Sequence, residues 1–511
     1  MRTDVATFAT DEHGPATAVT RLAALGFEFG PSRPVTRSLL DTFDGRLHRS
    51  GLRLELRESE GLELILTGEG SAAAHLVVTA VPRFPEDLSP GPFRSRLAAV
   101  AEVRALLPVV RVIATHAVGL RRNRAGKMVA TATVYEHVRI DGHDVARSTI
   151  EVDELAGYAK QWAGVRDALS EIGLSLLDGD TLTIAAAASG VRLAGASGPP
   201  GVALDPMMPA VIGFRAVLAD LTDTIMANWP GAIGRIDPEF LHDLRVAVRR
   251  TRTVLGEGKK VLPRAIVERA EERFGWLGAL TGAARDLDVH LINWSADTKP
   301  LAGGVVAALE PVHVLLERRS ESAHDTLARV LTSAEATELM TTATAWWREP
   351  AGDDAPGVDA ERPIGEVVAK RIARAHAKLI KRGRLINPDT PPEQVHDLRK
   401  DAKKLRYLLE CFASLLQDAP RKAFVRRLKA FQDNLGEHHD AAVHVAELRA
   451  ISEELHLRSA SSETMLAIGQ LIAQLDQRRI ATRSEFAERF AAYDTSATQR
   501  DLEAALAGPS R

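Results

Sequence analysis

His242-Asp-Leu-Arg-Val-Ala-Val-Arg-Arg-Thr-Arg252 and His396-Asp-Leu-Arg-Lys-Asp-Ala-Lys-Lys-Leu-Arg406 carry one pattern of a histidine followed by spaced cations, 154 residues apart. The offset holds without a gap from 242–290 to 396–444. Within that span His242, Arg245, Arg252, Leu255, Leu262, Arg273, Gly282, Asp286, Val289 and His290 all meet identical residue types. Arg249 meets Lys403, and Arg250 meets Lys404. An ordered series of matches at a fixed offset is the mark of an internal duplication. The C-terminal part is therefore read as two copies of one helical unit.

On a helix, His242, Arg245, Arg249 and Arg252 are spaced by 3, 4 and 3 and share a stripe about 15 Å long. His396, Arg399, Lys403 and Arg406 repeat it, and Arg371, Arg374, Lys378 and Lys381 form another stripe upstream of the second copy. The first copy has no equivalent of that last stripe, because its corresponding helix runs Arg215-Ala-Val-Leu-Ala-Asp-Leu-Thr-Asp223. Like charges at these spacings repel by a few tenths of a kcal/mol per pair. Carboxylates on facing helices or an external polyanion must compensate.

Arginine offers phosphate a forked pair of hydrogen bonds and lysine a point charge. A linear polyphosphate could follow such a row and release counterions. The competing reading is a solvated basic surface, with each histidine capping or packing its helix; recurrence in register favours the binding reading. The closing segments are Gly282-Ala-Ala-Arg-Asp286 and Gly436-Glu-His-His-Asp440. His438, His439 and Asp440 could ligate a metal, but Arg285 stands where His439 does and cannot. No metal site is expected, and Asp286 and Asp440 are read as acids that hold a basic side chain in place.

The chain of 511 residues has 65 Lys and Arg against 68 Asp and Glu, a formal net charge of −3, so attraction for a polyanion must come from local clustering. Apolar and charged fractions of 45% and 26% are those of ordinary globular protein. The single cysteine, Cys411, excludes an intrachain disulfide and fits a buried helical position in a reducing cytosol. The start, Met1-Arg-Thr-Asp-Val-Ala6, lacks the apolar core of a secretory signal, and no run reaches the roughly 18 apolar residues of a spanning helix. A cytoplasmic location without membrane partners is expected.

Apolar residues alternate in Leu52-Arg-Leu-Glu-Leu-Arg57 and Leu62-Glu-Leu-Ile-Leu66, the period of half-exposed strands. Further strands are predicted at 128–135, 138–140 and 148–152, with a hairpin turn at Asp141-Gly142. Helical patterns at 92–106 and 158–172 complete an α+β domain dominated by antiparallel sheet. Breakers cluster between Ser189 and Pro209 and again in Glu349-Pro-Ala-Gly-Asp-Asp-Ala-Pro-Gly357. The organisation expected is an α+β domain (1–188), a linker (189–207), a first helical bundle (208–348), a linker (349–362), a second bundle (363–495) and a C-terminal tail (496–511). Helices are predicted over 240–255, 267–280, 367–385, 395–416 and 422–435.

Over roughly 208–489 the two His-x-Leu-Arg openings, together with Arg285-Asp-Leu-Asp-Val289 and Gly436-Glu-His-His-Asp440, resemble the CHAD domain, the conserved-histidine α-helical domain. The resemblance implies two four-helix bundles related by a pseudo-twofold, with inorganic polyphosphate in a basic central groove and association with polyphosphate granules. It places that role on His242, Arg245, Arg249, Arg252, His396, Arg399, Lys403 and Arg406; Arg250, Lys404 and the stripe Arg371, Arg374, Lys378 and Lys381 join the candidate set by their charge and position.

Asp41-Thr-Phe-Asp-Gly-Arg-Leu-His-Arg-Ser-Gly-Leu-Arg-Leu54 is similar to a segment of the CYTH, or triphosphate tunnel, family. That family's Glu-x-Glu-x-Lys motif is missing, with only Thr3, Val5 and Thr7 where it would fall, and Leu62-Glu-Leu-Ile-Leu-Thr67 lacks the expected lysine. Arg53, Arg57, Arg121 and Arg122 remain as phosphate contacts, and Glu151 and Asp153 as acids. Without paired carboxylates a triphosphatase cannot hold its divalent ion. The expectation is a polyphosphate binder with no catalytic residues, no cofactor and a degenerate CYTH-like domain. The rivals are a metal-dependent triphosphatase or polyphosphatase and, ranked lower for want of base-stacking aromatics beyond Tyr407, a nucleic-acid binder.

Overall fold

A computed structural model of the chain describes residues 5–10, 14–68, 71–140, 143–144, 148–155, 157–188, 198–349 and 355–507. Two compact units result, Met1–Ser197 and Gly198–Arg511. The first holds strands Val5–Ala9 (β1), Phe27–Phe29 (β2), Arg33–Asp41 (β3), Leu52–Glu58 (β4), Leu62–Gly68 (β5), Ser71–Val78 (β6), Leu107–Arg122 (β7), Met128–Ile140 (β8), His143–Asp144 (β9), Thr149–Asp153 (β10) and Ser175–Leu177 (β11). They form an antiparallel sheet in the order β11-β1-β10-β8-β7-β3-β4-β5-β6, with β2 on β7 and β9 on β8.

The alternating segments become β4 and β5, whose register sets Leu54 opposite Leu66 and Leu56 opposite Leu64, so one face of the hairpin is apolar as far as Glu58 at the end of β4. The two segments read at 128–135 and 138–140 are one strand, β8, interrupted at His137 (φ 53°) beside a register shift. The expected turn at Asp141-Gly142 lies outside the described residues.

Among the described residues the α-helices beside the sheet are Gly14–Ala24 (α1), Arg46–Arg49 (α2), Pro92–Ala101 (α3), Ala159–Glu171 (α4) and Thr181–Ala188 (α5). The helix read to residue 106 stops at Ala101, because Glu102 turns left-handed (φ 53°) and Leu107 already belongs to β7. Leu22 of α1 and Val165 and Leu169 of α4 bury against Phe8, Phe27 and Ile150.

The second unit is all-helical: Ala210–Ile233 (α6), Pro238–Gly258 (α7), Arg264–Leu280 (α8), Gly282–Thr298 (α9), Gly303–Ala308 (α10), Glu310–Leu331 (α11), Ala334–Arg348 (α12), Ile364–Gly383 (α13), Pro392–Cys411 (α14), Asp418–Leu457 (α15), Ser462–Ser484 (α16), Phe486–Tyr493 (α17) and Ser496–Leu506 (α18). The starts of α6, α7 and α8 recur 154 residues later as those of α13, α14 and α15, so the duplication extends to the architecture.

The copies differ at the break after α8. Thr281 separates α8 from α9, and its hydroxyl bonds back to the Leu277 carbonyl at 2.9 Å, a contact that bends helices. Leu435 has no hydroxyl in the matching place, and α15 runs unbroken for 40 residues. Among the described residues no helix is long and apolar enough to cross a membrane.

Helices α6, α7, α8 and α12 pack together, as do α13, α14, the first half of α15, α17 and α18. The stretch expected as a tail from 496 is therefore corrected: α18 buries Leu502 and Ala505 and closes the second bundle. A third core draws on both copies, joining Leu309, Val312 and Leu316 to Leu448, Ile451, Leu455, Leu471 and Leu475. The second unit is thus a continuous helical body rather than two bundles on a string. The proline-rich segments that precede α6 and α13 touch through a bridge between Pro209 and Pro363.

Candidate anion-binding site

Asp237 caps α7 by accepting from the Glu239 and Phe240 amides at 2.9 and 3.2 Å. Leu244, Val248 and Leu255 then bury one side of α7, and Leu398, Leu405 and Leu409 bury the matching side of α14. That anchoring turns the cationic stripes away from the bundle cores. Helices α7 and α14 pack on each other, and their stripes meet across a cleft of about 380 Å³.

His242, Arg245 and Arg249 line the cleft from the first copy and Arg399 and Lys403 from the second. Arg285, Asp286 and Asn293 of α9 and His439, Asp440 and His444 of α15 complete it. Five Arg and Lys side chains face two carboxylates there.

The cations crowd one another. Burial, and then Arg399 and Arg249, bring the Lys403 ammonium down to about 7. Burial and the neighbouring Arg249 bring Arg245 down to about 10, while its Nη1 donates to Thr281 Oγ1 at 3.0 Å and the Gly278 carbonyl at 3.3 Å. Arg399 is also lowered, chiefly by burial, with Asp440 at 3.4 Å acting in the opposite direction and Arg249 adding to the depression. Burial and then Arg399 push the His439 imidazole down to about 3. Arg249 of the first copy thus acts on Arg399, Lys403 and His439 of the second, the electrostatic sign of a single site built from both copies.

Below the cleft His290 and His444, equivalent positions of the two copies, stack with ring centroids 4.2 Å apart and planes 7° apart. Equivalent residues in contact place the local twofold between them. The His444 Nδ1 lies 3.1 Å from Asp297 Oδ2, which fixes its ring.

The candidates divide by position. His242, Arg245, Arg249, Arg399 and Lys403 line the cleft. Arg406 lines an adjoining pocket, and His396 another, stacked on His439 at 4.9 Å. Arg252 is exposed and lies over Gly278. The rest are corrected. Arg250 is buried on Glu410 at 2.7 Å, and Lys404 pairs with Glu257. On α13, Arg371 is held by Glu257 (3.6 Å) and Asp359 (3.5 Å) and Lys378 by Asp401 at 2.6 Å, and neither they nor Arg374 and Lys381 line the cleft. A shared helical face fixes which residues point together, not which way they point.

Arg285, Asn293 and His444 were not among the candidates. Arg285 had a signal in the sequence, because it aligns with His439 and so marks a nitrogenous position in both copies. Among the described residues no group of three or more His, Cys, Asp or Glu side chains is arranged to hold a metal.

In the sheet unit the surviving CYTH-like candidates Arg53, Arg57, Glu151 and Asp153 are engaged by other residues of that unit. Arg37 forks onto Glu55 at 2.8 and 2.9 Å and binds Glu151 at 2.8 and 3.0 Å. Arg57 reaches Glu55 at 3.1 Å, Arg53 pairs with Asp180, and Asp153 accepts from Thr131 Oγ1 at 2.9 Å.

The helical unit is thus a duplicated helical body with a cationic cleft on its local twofold. Residues 216–449 match the CHAD domain family, and the chain carries a CHAD domain there. The chain is similar to the CHAD domain from the plant Ricinus communis, with 28% identity over 61% of this chain and 97% of that one and a TM-score of 0.45. It is similar to PptA from Streptomyces chartreusis, with 18% identity over 55% and 99% of the two chains and a TM-score of 0.43. The chain is also similar to a putative adenylyl cyclase, HpAC1 from Hippeastrum, described as having a dominant triphosphatase activity, with 10% identity over 37% and 97% of the chains and a TM-score of 0.28. No curated protein matches the chain.

Proposed function

We propose that the helical unit binds inorganic polyphosphate along the α7–α14 cleft, that binding brings the protein to polyphosphate granules in the cytoplasm, and that the sheet unit is catalytically silent. The observation that carries this reading is five cations from two copies facing two carboxylates, with Lys403 and Arg245 held below their ordinary ranges by burial and then by neighbouring cations. A flexible polyanion supplies counter-charge without a fixed shape. The CHAD domain match supports it. The lining residues of the cleft include no Phe, Tyr or Trp on which bases could stack, which speaks against nucleic acid. Silence of the sheet unit is supported by Arg37, which occupies Glu55 and Glu151 together.

Titration of the full chain with long-chain polyphosphate and with single-stranded DNA at one salt concentration tests the reading. Polyphosphate should bind tighter, with affinity falling steeply as salt rises. Equal or stronger binding of DNA would overturn it. Phosphate release from tripolyphosphate with magnesium or manganese would overturn the silent sheet unit.

The lysine gives a further expected result. Its proton is held at about 7 in the empty cleft, and a bound polyanion must restore it. Affinity should therefore weaken as pH rises above 7, by up to about tenfold per unit. Lys403→Arg keeps its charge throughout and should flatten that profile. An equally steep profile in the variant would assign the proton elsewhere.

A further inference from the structure

Gln432 occupies in the second copy the position of Gly278 in the first. The bare backbone of Gly278 lets the first copy's cations settle: Arg245 Nη1 donates to its carbonyl and to Thr281 Oγ1, and a Cβ there would stand 3.3 Å from Arg252 Nη1. In the second copy a glutamine side chain fills that position, and Leu435 replaces the threonine acceptor. Of the matching cations, Arg406 Nε has only Glu410 Oε1 at 3.4 Å, and Arg399 Nε is buried without a hydrogen bond. Both amide atoms of Gln432 are in the same condition, and the residue is only 6% exposed.

These groups border a pocket of about 460 Å³ that continues from the cleft, with Arg399, Lys403 and Asp440 lining both. Beyond these groups the lining brings three further carboxylates, Asp433 and Glu437 of α15 and Asp297 of α9, among neutral residues. Arg478 neutralises part of that wall, binding Glu437 at 2.6 Å and Asp297 at 3.1 Å. A phosphate chain entering from the cleft meets three cations and then carboxylates, so the pocket is a place to stop.

We propose that this pocket receives the terminal phosphate of the chain, with Arg399, Lys403 and Arg406 holding its anionic oxygens and Gln432 reading its hydroxyl. The inference rests on the polyphosphate reading of the cleft. A terminal phosphate has a second ionisation near 6 and at neutral pH still carries an O–H for part of the time. Internal phosphates present acceptors only. Gln432 Oε1 is an acceptor and needs a donor, whereas its amide N–H can serve a phosphate oxygen. Of the groups in such a chain, the end alone satisfies both.

The test is calorimetric titration of the full chain with two linear polyphosphates of equal length, one with free ends and one with both ends esterified. The free-ended chain should bind about tenfold tighter, as expected for loss of hydrogen bonds to a buried polar group. Gln432→Leu, and independently Gln432→Gly with the first copy's residue, should lower free-ended binding to the esterified level and leave esterified binding unchanged. Equal affinity of the two chains for the wild type, or a preference that survives in both variants, would overturn the end-pocket. Failure of both chains to bind would instead overturn the cleft reading, and the end-pocket with it.

Discussion

Replacing Arg249, Arg399 and Lys403 together by glutamine should lower affinity for long-chain polyphosphate by at least about 100-fold, because each offers the ligand a charge-assisted hydrogen bond in the cleft. The three come from both copies and already influence one another electrostatically, so they act on one stretch of ligand. The slope of log affinity against log salt should become shallower by about 2, since each phosphate neutralised on a single strand adds roughly 0.7 to it. The triple variant should also unfold at no lower temperature than the wild type, since the repulsion it removes in the free protein offsets the loss of the Arg399–Asp440 pair at 3.4 Å. Lys404→Gln is the control, as Lys404 lies outside the cleft on Glu257 and should bind as wild type does. Wild-type affinity in the triple variant, or a decrease in Lys404→Gln equal to it, would refute the cleft.

The contrast between Lys403 and Lys404, adjacent in sequence, shows where reading the sequence stops. Periodicity identified α7 and α14, because a histidine, cations and leucines at helical spacing leave few other folds, and the constant offset tied the helices as copies. Which cations stay free is decided by acids far away in the chain. Glu410 captures Arg250 from 160 positions away, and Glu257 captures both Lys404 and Arg371. No local pattern encodes such a meeting. The shared third core, with Leu316 and Leu448 from different copies, was hidden for the same reason. In the sheet unit the hairpin β4–β5 was legible from strict alternation. Strand β7 was not, since Val109-Val-Arg-Val-Ile-Ala-Thr-His-Ala-Val-Gly119 mixes runs and alternation on a strand that pairs with β2, β3 and β8.

Arg37→Met should destabilise the sheet unit by about 3–5 kcal/mol, the usual cost of removing one partner from a buried ion pair. Melting of that unit should fall by roughly 2–4 °C per kcal/mol. Arg37 is 3% exposed and makes four hydrogen bonds to two carboxylates, so its removal leaves Glu151 with no cation paired to it among the described residues and Glu55 with only Arg57 and Arg53 at 3.1 and 3.6 Å. The dependence on pH should change with it. In the wild type, burial raises the Glu55 carboxyl, but Arg37 outweighs that and brings it to about 2; Glu151 is lowered in the same way. Groups lowered on folding contribute stability that is full above their ordinary value near 4.5 and lost as pH falls towards 2. Without Arg37, burial and the neighbouring Glu55, which keeps Arg57, raise Glu151, so the variant should lose stability as pH rises through the ordinary carboxylate range. Changing Arg37, Glu55 and Glu151 together to Met, Leu and Leu should recover most of the stability, because an apolar replacement leaves no charge stranded. If Arg37→Met instead melted like the wild type with an unchanged acid limb, the guanidinium would not be what neutralises this core, and the sheet unit would have carboxylates free for a metal after all.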